Sequence, residues 1–316
     1  MKVWGKILTT AALFAAAGWS VAITGCSEST GSGKLKAAAG LPPVAYLAKR
    51  VGGDAAEVLS MLPEGRSPHD YSPGAREMRD AASSRLFFTT GMSFEKKLEK
   101  PLRRTGTRIV DVSRGIERMP MEVSCGHDLH HDHHHDHDHH HDHDEHEDGL
   151  DPHVWLNVEN ACRMAENIRD EFCRTDPAQA PVYRKNCEVL LKELYECEKQ
   201  LKADMAPYKG RRFYVYHPAF GYYAKMLGLK QEAFELGGRE ITVARLPEVL
   251  RRAKADNVRT VFTQPQFNPA SVRALELRHG IRVVPADPLR EDLLKNFCDL
   301  AEALKAGFEA DAGGVR

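Results

Sequence analysis

Residues 176–205, DPAQAPVYRKNCEVLLKELYECEKQLKADM, decide the architecture of this chain. Asp176 reads as an N-cap carboxylate and Pro177 as the first helical residue, where a missing N–H is harmless and the fixed φ suits a helix. Beyond them Val182, Cys187, Leu190, Leu191, Leu194 and Leu201 supply apolar positions at helical spacing. A helix of about 30 residues spans roughly 45 Å, enough to run the length of a two-domain body. The stretch to about Met205 is therefore the natural connector.

Both sides of it carry the same alternation. Before residue 175, short apolar runs alternate with helical segments, as in Leu86-Phe87-Phe88 followed by Gly91, and Ile109-Val110-Asp111-Val112. After the connector the pattern predicts strand Phe213–Val215, a helix near Tyr222 to Met226, helix Leu246–Ala255 and strand Thr260–Phe262. Helix Ala270–His279, strand Ile281–Val284 and a last helix from Leu289 to about Phe308 complete it. Strands alternating with helices specify parallel sheets. The expected fold is α/β: a lobe over 27–175, the linker helix 176–206 and a second lobe over 207–316, with a cleft between the lobes.

The N-terminus fixes the compartment. Lys2 and Lys6 precede an apolar run from Ile7 through Ala22 that ends at Ile23-Thr24-Gly25-Cys26. Residues 1–26 read as a bacterial lipoprotein signal peptide, with the Cys26 thiol accepting diacylglycerol. The alternative is an uncleaved anchor, since the run approaches the length of a short spanning helix; the Ile-Thr-Gly-Cys ending favours processing. No later stretch approaches roughly 18 uninterrupted apolar residues, so an exported, membrane-anchored lipoprotein is expected, its body held on a polar tether at 27–33. It should sit in the periplasm or on the extracellular face.

Processing leaves about 290 residues at 42% hydrophobic composition, enough for two cores. A formal net charge of -1, from 44 basic and 45 acidic residues, offers no basic field for nucleic acid. Six cysteines follow Cys26. Cys162 with Cys173, and Cys187 with Cys197, fall on helical patterns that hold them roughly 15 Å apart, beyond the roughly 7 Å limit for a disulfide. Bridges between different helices, or between Cys125 and Cys298, stay open in an oxidising compartment.

The loudest chemistry is a tract in which twelve of the twenty residues from 127 to 146 are histidine: His127, His130, His131, His133, His134, His135, His137, His139, His140, His141, His143 and His146. With Asp and Glu filling most other places, the tract has no apolar surface to offset chain entropy and is expected as a loop inserted in the first lobe. Imidazoles and carboxylates at that density bind Zn²⁺, Cu²⁺ or Ni²⁺. A solvated loop with incidental metal affinity is the plainer reading.

Four histidines lie outside the tract, and three of them sit beside proline: Ser67-Pro68-His69-Asp70, Asp151-Pro152-His153-Val154-Trp155 and Tyr216-His217-Pro218. Ligands in open α/β sheets collect at the carboxyl ends of strands. His217 follows the strand Phe213–Val215, and Asp287 follows Ile281–Val284 in the same manner. Three imidazoles and one carboxylate suit a tetrahedral Zn²⁺ site with bonds near roughly 2.0–2.2 Å. The fourth histidine, His279, ends a helix and reads as a hydrogen-bonded loop residue facing the negative end of the helix dipole.

These stretches resemble the zinc-binding, ZnuA/TroA-like (cluster A-I, solute-binding protein family 9) substrate-binding proteins of ABC transporters, over nearly the whole mature chain. The similar segments also include Val51-Gly52-Gly53-Asp54, Leu62-Pro63-Glu64-Gly65, Asp176-Pro177 with Tyr183 and Asn186, His217-Pro218-Ala219-Phe220-Gly221-Tyr222, Gln264-Pro265-Gln266-Phe267 and Asp287-Pro288-Leu289. The resemblance implies two Rossmann-like lobes, a rigid connecting helix and one metal between the lobes. It makes His69 and His153 the first-lobe ligands, His217 the second-lobe ligand and Asp287 the candidate fourth. Manganese-type relatives place a carboxylate where His217 stands, and hard oxygen suits Mn²⁺ whereas imidazole suits Zn²⁺. Two departures bear on the fourth ligand: Pro68 stands where some zinc-type relatives carry glutamate, and Gln264 where glutamate is common.

The resemblance thus implies a monomeric, non-enzymatic receptor that captures Zn(II) and delivers it to a cognate ABC permease in the cytoplasmic membrane. A hydrolytic zinc centre would need a general base or oxyanion donors, and no nucleophile motif stands beside the three histidines. The remaining alternative is a periplasmic metallochaperone or buffer, or an adhesin-like lipoprotein, acting through the histidine tract.

Overall fold

The structure, a computed structural model, describes residues 33–121, 149–234, 251, 253–255, 258–266 and 280–312. The signal segment with Cys26, the tract 127–146, Cys125, His279 and the helix expected at 270–279 lie outside those residues, as does most of the helix expected at 246–255.

The N-terminal half builds a four-stranded parallel sheet from β1 (Leu35–Ala39), β2 (Ala56–Ser60), β3 (Leu86–Thr89) and β4 (Arg108–Asp111), in the order β2-β1-β3-β4. Helices α1 (Pro42–Gly52), α2 (Ala75–Ala82) and α3 (Ser93–Arg104) connect the strands, and α4 (Val158–Thr175) follows the region of the tract. The C-terminal half repeats the plan with β5 (Arg212–Val215), α6 (Gly221–Leu227), β6 (Lys230–Ala233), β7 (Thr260–Thr263) and β8 (Arg282–Pro285), its strands ordered β6-β5-β7-β8. Both sheets are parallel throughout, and in the first the helices α1, α2 and α3 form the crossovers that parallel pairing requires.

The likeness extends to single hydrogen bonds just past the strands. Gly40 N donates to Phe88 O at 2.9 Å, as Tyr216 N does to Phe262 O at 2.9 Å. Met61 N to Ala39 O matches Phe234 N to Val215 O, and Val112 N to Thr89 O matches Ala286 N to Thr263 O. Leu41, Thr90 and Ser113 in the first lobe therefore correspond to His217, Gln264 and Asp287 in the second.

Between the lobes runs a helical stretch from Pro177 to Tyr208, in which a 3-10 turn leads into α5 (Ala180–Met205) and another leaves it. Cys187, Leu190, Leu194 and Leu201 are buried as their spacing predicts, and α5 packs on α1, α4 and the final helix α7 (Leu293–Ala312). Val182 departs from expectation and is 38% exposed, since the buried stripe runs through Ala180, Tyr183 and Cys187 and leaves Val182 beside it. Asp176 does not cap through its carboxylate either: Oδ2 accepts from Tyr183 Oη at 3.1 Å, while its backbone carbonyl accepts from Gln179 N. The core is continuous through both lobes, with Phe87, Phe88, Trp155, Phe172, Tyr223 and Phe297 fully buried. Each such side chain contributes about 2–3 kcal/mol by leaving water.

Candidate metal centre

His69 sits in the loop after β2. Its backbone N donates to Ser67 Oγ at 3.2 Å, and Tyr71 Oη anchors the loop to Met61 O at 2.8 Å. His153 sits in the segment that enters α4, where Asn157 caps the helix by accepting from Asn160 N and Asn160 Nδ2 donates to Val154 O. The segment is tied at its start: Met121 N donates to Gly149 O and Asp151 N to Met119 O, both at 2.8 Å. In sequence the tract falls between these two paired segments of backbone, whose pairing ties the start of the His153 segment.

His217 leaves β5 directly. Gln264, one residue beyond β7, fixes it through both backbone groups: Gln264 Nε2 donates to His217 O at 2.7 Å and His217 N donates to Gln264 Oε1 at 3.3 Å. His153 and His217 are almost wholly buried, and His69 is partly so.

The three imidazoles converge. His69 Nε2 lies 3.2 Å from His217 Nε2, which lies 3.3 Å from His153 Nε2, and all three ligand atoms fall within 4.8 Å of one another. Two nitrogens bound about 2.05 Å from a tetrahedral zinc stand about 3.3 Å apart. Two of the three separations match that edge length, and the third is no longer than 4.8 Å. Ser67, Pro68, Trp155, Gln264, Gln266, Pro288 and Leu289 line the pocket around them.

His153 has a carboxylate behind it. Asp151 Oδ1 is 2.8 Å from Nδ1 and also accepts the His153 backbone N–H at 2.9 Å, with Asp151 1% exposed. With Nδ1 carrying the proton toward Asp151, the Nε2 lone pair points to the other two rings, the usual arrangement behind a metal-bound histidine. Gly221 makes room for this carboxylate, since a Cβ there would stand 2.8 Å from Asp151 Oδ2. The sequence contained Asp151 in its Asp-Pro-His motif, yet gave it no role; a carboxylate two residues before a candidate histidine was the available signal.

Asp287, the expected fourth ligand, stands outside the cluster of three. Its Oδ1 accepts from Gln266 Nε2 at 2.8 Å and from Leu289 N at 2.9 Å, and its carbonyl accepts from Asn296 Nδ2. These bonds brace the turn after β8 through one carboxylate oxygen, Oδ1.

Several contacts hold the two lobes around the histidines. Trp155 Nε1 donates to Pro288 O at 2.7 Å, and Tyr222 Oη donates to Asp151 O while accepting from Met119 N. Lys49 pairs with Glu291 at 2.6 Å. The cleft is closed over the three rings.

Comparison with known proteins follows the same lines. The family model described as ZnuA, zinc-uptake complex component A, periplasmic, matches residues 38–306. The chain is 26% identical over 270 residues to the zinc-binding lipoprotein AdcA of Streptococcus pneumoniae, covering 84% of this chain but only 52% of AdcA, so it spans about half the length of that relative. It is also 26% identical over 273 residues to the manganese-binding lipoprotein MntA of Halalkalibacterium halodurans, covering 85% of this chain and 83% of MntA. A solved ZnuA structure superposes with a TM-score of 0.76 at 24% identity, over 87% of this chain and 99% of that one.

Proposed function

Since this chain belongs to the ZnuA family of metal-binding solute receptors, which work with ABC transporters and are not enzymes, we propose that its cargo is Zn²⁺, taken up by His69, His153 and His217 and delivered to a cognate ABC permease. The observation that carries this reading is the nitrogen triangle, whose 3.2 and 3.3 Å edges fit tetrahedral zinc. A cluster of imidazoles without a carboxylate favours Zn²⁺ over Mn²⁺, which prefers hard oxygen ligands. Relatives of both metal classes exist, so the ligand set, not the ancestry, supports zinc. The fourth position is left to solvent, with Asp287 held back by Gln266.

The rest of the reading follows from the sequence. Cys26 anchors the mature chain to a membrane as a monomeric lipoprotein outside the cytoplasm; among the described residues no helix is long and apolar enough to cross a membrane. Residues 27–175 and 207–316 act as the two lobes, and 176–206 as the linker. The tract 127–146 gathers zinc as an accessory, and its paired stem at Met121 and Gly149 supports the view that the receptor site does not depend on it.

Competitive titration of a chain lacking residues 127–146 tests this. One site should remain, with a zinc dissociation constant on the order of nanomolar, about -12 kcal/mol, while weaker sites disappear and Mn²⁺ binds at least about a hundredfold less tightly. Loss of all tight zinc binding would transfer the function to the tract and support a buffer or metallochaperone. Equal or tighter Mn²⁺ binding would make the protein a manganese receptor.

A further inference from the structure

Cys197 lies on α5 and Cys298 on α7, two helices that pack along each other. Their sulfurs are 4.0 Å apart. Cys197 is half-buried and Cys298 exposed, so the pair is open to solvent from one side. The other thiols with described positions are differently placed: Cys162 and Cys187 are buried, and Cys173 is 3.7 Å from the Ala180 carbonyl oxygen. Burial raises the Cys162, Cys187 and Cys197 thiols alike, to about 12, about 11 and about 12, so what sets Cys197 apart is the neighbouring, exposed Cys298 sulfur and not its acidity.

We propose that Cys197 and Cys298 form a disulfide in the exported protein. The sulfurs must approach from 4.0 Å to a bond length of about 2.05 Å, a movement within reach of side-chain rotation. The bridge would link residues 101 apart in sequence. All four strands of the C-terminal sheet, together with His217, fall inside the covalent loop so closed. Long loops lose the most unfolded-state freedom when closed, so this position stabilises the second lobe more than a local bridge could. The inference rests on export only for the supply of oxidant.

The chemistry balances with a disulfide oxidant of the extracytoplasmic space, written RSSR. The exposed Cys298, as thiolate, attacks one sulfur of RSSR and expels RS⁻. Cys197, losing its proton, then attacks the Cys298 sulfur of the mixed disulfide and expels the second RS⁻. Two thiols lose two electrons and two protons, and RSSR leaves as two RSH.

The full chain, equilibrated with oxidised glutathione, alkylated and digested without reduction, should yield one cross-linked peptide joining Cys197 to Cys298. Its melting temperature should fall by about 5 °C on reduction, and that difference should vanish in Cys197→Ser and Cys298→Ser. Peptide mapping of the unaltered chain does not depend on either variant folding. Both cysteines still open to alkylation after oxidation, or a bridge from either one to a different cysteine, would overturn the proposal. So would a melting shift that persists in the variants. Zinc plays no part in these readouts, so they fail or succeed independently of the receptor reading.

Discussion

The two lobes share one scaffold and use it differently. At the exit of the first strand, the N-terminal lobe places Gly40 and a buried Leu41 that opens α1, while the C-terminal lobe places Tyr216 and His217. At the exit of the third strand stand Thr90 and Gln264. Thr90, with Thr89, Gly91 and Met92, donates to the buried Oε2 of Glu95, which anchors the start of α3. Gln264 instead grips the backbone of His217. The first lobe spends its strand exits on stability and brings its two imidazoles from longer loops. The second turns two of its exits, at His217 and Gln264, to the cluster of imidazoles. A ligand at a strand exit is fixed by the sheet, and a ligand on a loop needs bracing of its own, which Asp151 supplies to His153.

Replacing His217 should have the largest effect, because it is the second lobe's only imidazole in the triangle. His217→Ala is expected to weaken zinc binding at least about a hundredfold, more than the 10- to 100-fold typical of outer-shell losses, with the melting temperature of the metal-free chain nearly unchanged. Competition against a chelator measures the first and calorimetry the second. A tenfold loss or less would mean that the lobes do not share the metal.

Gly40→Ala probes the opposite use of the same strand exit, at the position that matches Tyr216. A Cβ at Gly40 would overlap the Glu95 carboxylate, whose Oε1 already has no hydrogen-bond partner. The expected cost is about 1–3 kcal/mol of overpacking, or about 5 °C in melting temperature, with zinc affinity unchanged. A variant that melts normally but loses zinc would reverse the assignment of roles.

Asp287→Asn should do least. Asn retains an oxygen for Gln266 Nε2 and Leu289 N, so zinc affinity is expected to change less than about threefold, well short of the roughly 10- to 100-fold lost when a group that orients a metal ligand is removed. A loss comparable to that of His217→Ala would show that the carboxylate leaves Gln266 to bind zinc.

Much of this was legible in the sequence, for reasons that also mark where reading stops. The connector declared itself through apolar spacing, and β3, β5, β7 and β8 through short runs of branched and aromatic residues. Strand β1, Leu-Lys-Ala-Ala-Ala, and edge strand β6, Lys-Gln-Glu-Ala, were not picked out. Alanine and charged residues have little β preference, and only tertiary pairing makes these segments strands. The three histidines stood out because proline flanked them and other histidines outside the tract were few. The engagement of Asp287 was invisible, because its partner Gln266 is 21 residues away and the contact depends on how two turns meet.

The stem formed by Met121 and Gly149 has a consequence for how such receptors diverge. Once the two ends of an inserted segment are fixed together, doubling its length costs only about 0.6 kcal/mol of closure entropy. Length and histidine number can therefore drift between descendants almost independently of the geometry at His153.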